Sequence, residues 1–509
     1  MTFFSILYEN VQEDINEEKI HEPDCFEDLN LDQVVLAITT GFEEYNLKPF
    51  FYDPLQSLNS ITYRHEILRD LENPHVYESI RSFSEKMRQM RKDLTQANKL
   101  YYQYQKESWF LDAVDLYCRS VQEFAQDLSD LNIHSRGLSS FLQYLTQYIA
   151  SLSFTNLCNE IDLLKTELSQ VRYCVLLKGK EVTVRRYQDE EDFHYEVGRR
   201  CEKFTSDVKK YYHEHFSDYP DMNHVEAKIL ELVAKLFPEV FSHLDLFYEK
   251  NADFPDEIIT RFDREIQFYI AYLEFISPLQ KNGLSFCIPH ITIEKEISDI
   301  GGFDLALAHT LIHEGKSIVC NDFYLKDGER IFVITGPNQG GKTTFARTFG
   351  QLHYLASLGL KVPGTSARLF LFDKLFTHFE REEDIENMRS KFEDDLVRIH
   401  AIFEQSTSRS IIIINEMFTS TTVQDALFLG KKVLGKASDL DLLCIYVTFL
   451  DELTHLNKTV SLVSTVHPAD PDVRTYKIER RPADGLSYAV AIAKKNHVTY
   501  DDIMERIVS

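Results

Sequence analysis

The chain has 509 residues, 44% of them hydrophobic, which is more than one core needs and suggests roughly three to five domains of about 100 to 200 residues each. Its 81 acidic against 55 basic residues leave a net charge of −26, which excludes nucleic-acid binding through bulk charge, so any such contact must come from local basic patches. Eight scattered cysteines (Cys25, Cys118, Cys158, Cys174, Cys201, Cys287, Cys320 and Cys444) show no C-x-x-C pair or zinc spacing, the amino terminus turns acidic at Glu9, and no apolar run approaches the ~18 residues of a membrane span; a cytoplasmic protein with reduced thiols and no membrane partner is expected.

Residues 1–75 mix short apolar and acidic stretches and are predicted to form a helical core segment, with a turn at Phe50 to Leu58. Residues 76–285 are predicted to be a second region of long amphipathic helices, exemplified by IRSFSEKMRQMRKDLTQANKLYYQYQ. Within it the period drops to two from Arg172 to Tyr187, where Lys178-Gly179-Lys180 reads as a hairpin turn between two strands. Helical spacing resumes from about Tyr195 to Leu279, and Gly283 with Pro289 places the major boundary near residue 285. Residues 286–509 alternate short apolar strands with helices, the pattern of an α/β domain with a largely parallel sheet.

Gly336-Pro337-Asn338-Gln339-Gly340-Gly341-Lys342-Thr343 fits G-x-x-x-x-G-K-[ST], in which backbone N–H groups wrap phosphates, the lysine reaches the β and γ groups and the hydroxyl binds Mg²⁺. Arg330 to Thr335 reads as a strand leading into this P-loop, and Phe345, Phe349, Leu352 and Leu355 recur at helical spacing after it. Strand, loop and helix therefore follow in the order that ATP binding at a helix N-terminus requires. Further on, Ser410 to Glu416 is an apolar β-branched strand ending in two polar residues, where P-loop ATPases place a metal-supporting residue and a base. Glu416 would polarise the attacking water. Asn415 stands where an aspartate is usual; a neutral amide gives Mg²⁺ only indirect support, so binding should survive better than rapid turnover.

At these residues the chain resembles the MutS family. Thr335 to Thr344, TGPNQGGKTT, is similar to that family's TGPNMGGKST. Val362 to Leu396 resembles the stretch ending in the signature loop DDLASGRSTFMVEM: Arg389, Ser390 and Phe392 match, whereas Met388 replaces glycine and Lys391 replaces threonine. Asn415 to Leu427 resembles DEIGRGTSTYDGL with Glu416 retained, and Val447 to Leu453 resembles ATHYFEL with Phe449 at the switch histidine. Phenylalanine cannot hydrogen-bond a phosphate. His467 reads as a loop histidine and not as a substitute. Upstream, GKSIVCNDFYLKDGER resembles the stretch that cups adenine, with Ile318 in place of an aromatic, and Val473 to Ile507 resembles the terminal strand and helix, with Gly485 opening the helix.

The resemblance implies an ABC-type α/β P-loop ATPase domain preceded by a mainly α-helical core, lever and clamp region with a small β element. It implies a homodimer in which Arg389 and Ser390 act on ATP bound by the partner subunit, and engagement of duplex, mismatched or branched DNA. Nothing resembles the family's amino-terminal mismatch-reading domain or a Smr-type nuclease tail, so neither mismatch reading by that route nor nuclease activity is expected. DNA contacts would be phosphate contacts from Lys and Arg, and the hairpin residues Lys178, Lys180, Arg185 and Arg186 are preferred over the basic stretches Lys86 to Lys92, Arg199 to Lys203 and Lys209-Lys210. A second expectation is a nucleotide-gated scaffold with weak or no hydrolysis, acting on a protein or ribosomal partner. Some other ABC-related ATPase is disfavoured by the lack of an LSGGQ-like sequence.

Overall fold

Apolar residues spaced three and four apart turn the first half of the chain into helices. The computed structural model describes residues 3–9, 21–179, 181–188, 222–380, 390–467, 470–483 and 503–504. The helices begin with α1 (Cys25–Leu29), α2 (Leu31–Thr39), α3 (Lys48–Tyr52) and α4 (Leu58–Leu71), and the Phe50 to Leu58 stretch carries the chain from α3 into α4. The long α5 (Pro74–Lys99) and α6 (Gln103–Asp130) follow, then α7 (Arg136–Ile149) and α8 (Leu152–Ser169). Pro74 fits the first turn of α5, where an N–H has no helical partner to lose, and the Asn73 side chain accepts from the His75 N–H at 3.0 Å.

Alternation with period two then gives an antiparallel hairpin of β1 (Tyr173–Lys178) and β2 (Glu181–Arg186), turned at Gly179 with φ +63°. Helices return as α9 (His224–Leu236), α10 (Pro238–Lys250) and α11 (Glu257–Lys281). Asn223 and Glu226 form a reciprocal capping box at the start of α9. Lys180, Arg199 to Lys203, Lys209 and Lys210 lie outside the described residues.

The remaining elements are β3 (Phe286–Cys287), β4 (His290–Thr292), β5 (Ile297–Gly302), α12 (Leu305–His313), β6 (Asn321–Leu325), β7 (Ile331–Thr335), α13 (Lys342–Ser357), β8 (Val362–Pro363), β9 (Ser366–Phe370) and β10 (Leu375–His378). They continue with α14 (Lys391–Gln405), β11 (Ile411–Asn415), α15 (Val423–Asp439), β12 (Leu443–Val447), β13 (Thr459–His467) and β14 (Asp470–Arg480). The main sheet has the order β10-β11-β12-β7-β13-β14, parallel except for the antiparallel β14. Its strands β7, β11 and β12 are buried at every position, which is why they read as continuous apolar runs and not as alternation. A smaller sheet runs β4-β9-β5-β6.

The chain divides into two compact units, one of Met1–Phe3, Asp70–His134 and Leu138–Asp263, the other of Phe4–Arg69, Ser135–Gly137 and Arg264–Ser509. In the first, Phe83 stacks on Phe124 at 4.3 Å and Phe141 on Phe262 at 3.6 Å between ring centroids, tying α5, α6, α7 and α11 around one aromatic cluster. In the second, the wholly buried Arg64 of α4 donates to the carbonyls of Leu7 at 3.1 Å and Leu358 at 2.8 Å, and its guanidinium faces the Tyr8 and Phe268 rings. The unit that carries the P-loop therefore also buries Leu7 and Tyr8. No helix among the described residues is long and apolar enough to cross a membrane, and the described cysteines are all free.

At the edge of the main sheet where β7, β12 and β13 begin, Asp441 accepts from Lys295 Nζ, Arg330 Nε and Lys458 Nζ, each at 2.9 Å. Burial raises the Asp441 pKa, but hydrogen bonds from Lys295 and Lys458 and the charges of Lys295 and Arg330 outweigh it, so the carboxyl is held well below its usual range. A depressed folded pKa contributes stability above the unfolded value, about 3.9, and loses it as pH falls towards the folded one. Asp441→Ala is expected to cost on the order of 1 kcal/mol at neutral pH, kept small by solvent screening. Thermal melts should show that deficit shrinking as pH is lowered through about 4 towards 3; a deficit independent of pH would contradict the ion-pair account.

Candidate functional site

The P-loop starts where β7 ends, and its backbone takes conformations that side chains resist: φ is +118° at Gly336, +58° at Gln339 and +90° at Gly341. Beneath it lies Ser464, fully buried on the neighbouring strand β13. A Cβ at Gly336 would stand 2.9 Å from the Ser464 carbonyl oxygen, and one at Gly340 would overlap Ser464 Oγ. That hydroxyl donates to the Gly340 carbonyl at 2.6 Å, drawing the loop onto the sheet. Gly341 caps α13 without a side-chain hydrogen bond, so the first N–H groups of that helix are left for a ligand.

Lys342 is 4% exposed, and its ammonium donates to the carbonyls of Gly336 at 3.0 Å and Pro337 at 3.2 Å. Glu416 Oε1 is 3.9 Å away, and the Phe449 ring centroid lies 4.4 Å from the ammonium. The position of the family's switch histidine thus presents an aromatic face to the lysine instead of a hydrogen-bonding group. Burial lowers the Lys342 pKa, with Glu416 opposing; burial raises that of Glu416, with Lys342 opposing. Each charge offsets part of the shift that burial imposes on the other.

The Thr343 hydroxyl donates to Asn415 Oδ1 at 2.9 Å, joining the P-loop to the end of β11. Between them these two side chains offer neutral oxygen donors, which suit a hard divalent cation, and Glu416 supplies the nearby charge. Glu416 follows with φ +54° and lines a cavity of about 540 Å³. The P-loop residues Gln339 to Thr344 line this cavity together with Leu307 and Leu311 of α12, Lys316 to Val319 and Tyr476. A hollow that combines a helix N-terminus and a buried lysine with aliphatic side chains suits a phosphate-bearing ligand with an apolar part.

Four residues in or beneath this hollow have no local signal in the sequence. Ser464 carries no motif, and Leu307 with Leu311 shows only ordinary helical spacing. Tyr476 arrives through a bulge: Ser464 pairs with Ile478 and Val466 with Arg474, so Thr475 to Lys477 oppose the single residue Thr465. Tyr476 takes φ +58° there and lies against Gly341.

Ser390 caps α14, its hydroxyl accepting from the Glu393 N–H at 3.2 Å. Arg389 and Met388 lie outside the described residues, as does Gly485. His467 is the last residue of β13, not part of a free loop. On the hairpin, Lys178, Arg185 and Arg186 are exposed. Arg186 donates to the Leu236 carbonyl, with Nε at 3.1 Å, and its guanidinium covers the Phe237 ring.

Residues 332–505 match the family model MutS domain V. The chain is 31% identical over 215 residues to the DNA mismatch repair protein MutS of Erythrobacter litoralis, a match covering 41% of this chain and 24% of that protein. It is 34% identical over 167 residues to the protein of that name from Rickettsia bellii, covering 33% and 19%, and 32% identical over 169 residues to that of Zymomonas mobilis, with the same coverage. The match to these curated relatives spans a quarter of their length or less, 24% in the first and 19% in the other two. The sheet, the P-loop and the matched segment coincide, and the carboxy-terminal part of the chain is domain V, the ATPase domain, of the MutS family.

Proposed function

We propose that the chain is a MutS-like DNA-binding ATPase. In this reading ATP bound at Gly336 to Thr344 and Ile318 is hydrolysed in a composite site of a homodimer, with Arg389 and Ser390 acting on the partner's nucleotide, and the cycle drives clamp-like engagement of duplex, mismatched or branched DNA. The observation that carries it is the cavity of about 540 Å³ that Lys342, Thr343 and Glu416 line together with Leu307, Leu311, Ile318 and Val319, with Asn415 bonded to Thr343.

Lys342 would exchange its two carbonyl partners for phosphate oxygens, which are better acceptors because they are charged. Glu416 would accept the proton of the attacking water, burial raising its pKa and so its basicity while the Lys342 charge opposes that rise. Thr343 and, more weakly, Asn415 would hold Mg²⁺, which when bound offsets the negative charge of the phosphates. A neutral amide at Asn415 in place of a carboxylate favours slow turnover. Local cations would carry the DNA contact, since the net charge of −26 repels a polyanion.

A second reading, a nucleotide-gated scaffold with weak or no hydrolysis acting on a protein or ribosomal partner, draws on Asn415 and on Phe449 facing Lys342. The two readings part on Glu416. Glu416→Gln is expected to lower ATP turnover about 10² to 10³-fold with nucleotide affinity retained, whereas Lys342→Ala abolishes nucleotide binding. Measurable wild-type turnover that ignores Glu416→Gln would reject the hydrolytic role.

Asn415→Asp should lower the Mg²⁺ concentration needed for half-maximal turnover on the order of fivefold, the worth of about 1 kcal/mol of added charge attraction. A metal titration that does not shift would place the cation elsewhere. For DNA, Lys178→Ala combined with Arg185→Ala should weaken binding to all duplexes alike and flatten the plot of log affinity against log salt by roughly two. An unchanged slope would acquit the hairpin.

A further inference from the structure

The turn that carries Glu416 is held from outside the P-loop. Both Glu416 and Phe418 have left-handed backbone conformations, φ +54° and +64°, and neither is glycine, so the turn works against Cβ crowding at two of three consecutive residues. Two N–H groups fasten it. Glu416 N–H donates to the Val447 carbonyl at 3.0 Å, a contact with the neighbouring strand β12. Phe418 N–H donates to Asp395 Oδ2 at 3.2 Å, a contact with α14.

Asp395 is 6% exposed. Its second oxygen faces His378 Nε2 at 3.4 Å, at the end of β10 and in register with Ile414 of β11. The Phe418 ring, 1% exposed, packs beside Phe392 of the same helix at 6.1 Å between centroids. The helix capped by Ser390 therefore grips the turn twice, by a carboxylate and by a ring, two residues beyond the carboxylate that faces Lys342. Burial raises the Asp395 pKa, and the Phe418 N–H and the charges of Arg398 and Lys391 oppose that rise.

We infer that Asp395 is a positioning residue for Glu416, fixing through the Phe418 amide the left-handed turn that aims the Glu416 carboxylate at the nucleotide cavity. The inference rests on the hydrolytic reading of Glu416. It ties α14, which Ser390 caps, to the base of the same subunit.

The test uses the full chain with ATP and Mg²⁺ and, separately, the nucleotide-free protein. Asp395→Ala should lower turnover about tenfold or more while nucleotide affinity stays within about twofold, because the base is misplaced and the phosphate grip is not. Without nucleotide, hydrogen exchange should speed up in peptides covering Glu416 to Thr419, whose amide protection the carboxylate supplies, and not along α14 as a whole. Asp395→Asn retains an acceptor oxygen and should recover a third or more of the turnover. Adding Asp395→Ala to Glu416→Gln should cause no further fall.

Turnover unchanged in Asp395→Ala, or a fall that follows the loss of nucleotide affinity or of melting temperature, overturns the assignment. Asp395→Asn as impaired as Asp395→Ala, with exchange accelerated throughout α14, does so as well. Active wild type with an equally active Glu416→Gln removes instead the hydrolytic reading on which the inference rests, and is told apart because exchange at Glu416 to Thr419 still responds to Asp395.

Discussion

The close approach between the P-loop and Ser464 is the constraint on which the site depends. A loop that must wrap an anion with its own N–H groups has to expose backbone, and backbone is exposed only where side chains are absent. Here the floor under the loop is Ser464, whose main chain crowds Gly336 and whose hydroxyl binds the Gly340 carbonyl. Because β13 runs parallel to β7 with Val463 opposite Thr335, Ser464 falls directly under the first glycine. The strand order of the sheet therefore decides the curvature of the loop, and the curvature decides where Lys342 and Thr343 stand.

Around that loop Lys342 and Glu416 face each other, Arg474 donates to the Asn338 carbonyl, and the bonded pair Thr343 and Asn415 is neutral. A divalent ion held mainly by neutral oxygens is held more weakly than one with a carboxylate ligand. Phe449 adds an aromatic face to the lysine where the related family motif carries a histidine. The chemistry that remains is positioning: the backbone cradle, the strained turn at Glu416 and its anchor on Asp395. The matched segment belongs to an ATPase domain.

Much of the architecture was legible in advance because it is local. Continuous runs such as Ile411 to Ile414 mark strands buried on both faces, and the Lys178-Gly179-Lys180 turn between alternating segments marks a hairpin. The α13 helix announces itself through Phe345, Phe349, Leu352 and Leu355. What was not legible lies at long range. Arg186 reads as one more basic hairpin residue, and only packing shows it held by the Leu236 carbonyl. Tyr476 sits in an ordinary strand by composition, and only a bulge in the pairing of β13 with β14 turns it towards Gly341.

By itself the sequence determined the order of strand, loop and helix, the identities of Lys342, Thr343, Asn415 and Glu416, and the likeness to one family, because each is written in contiguous residues whose spacing has a direct chemical meaning. Tertiary structure alone decided which residues support them. Ser464 beneath Gly340 and Asp395 beneath Phe418 are pairings set by strand order and helix packing, and side-chain periodicity says which face is buried without saying what it is buried against.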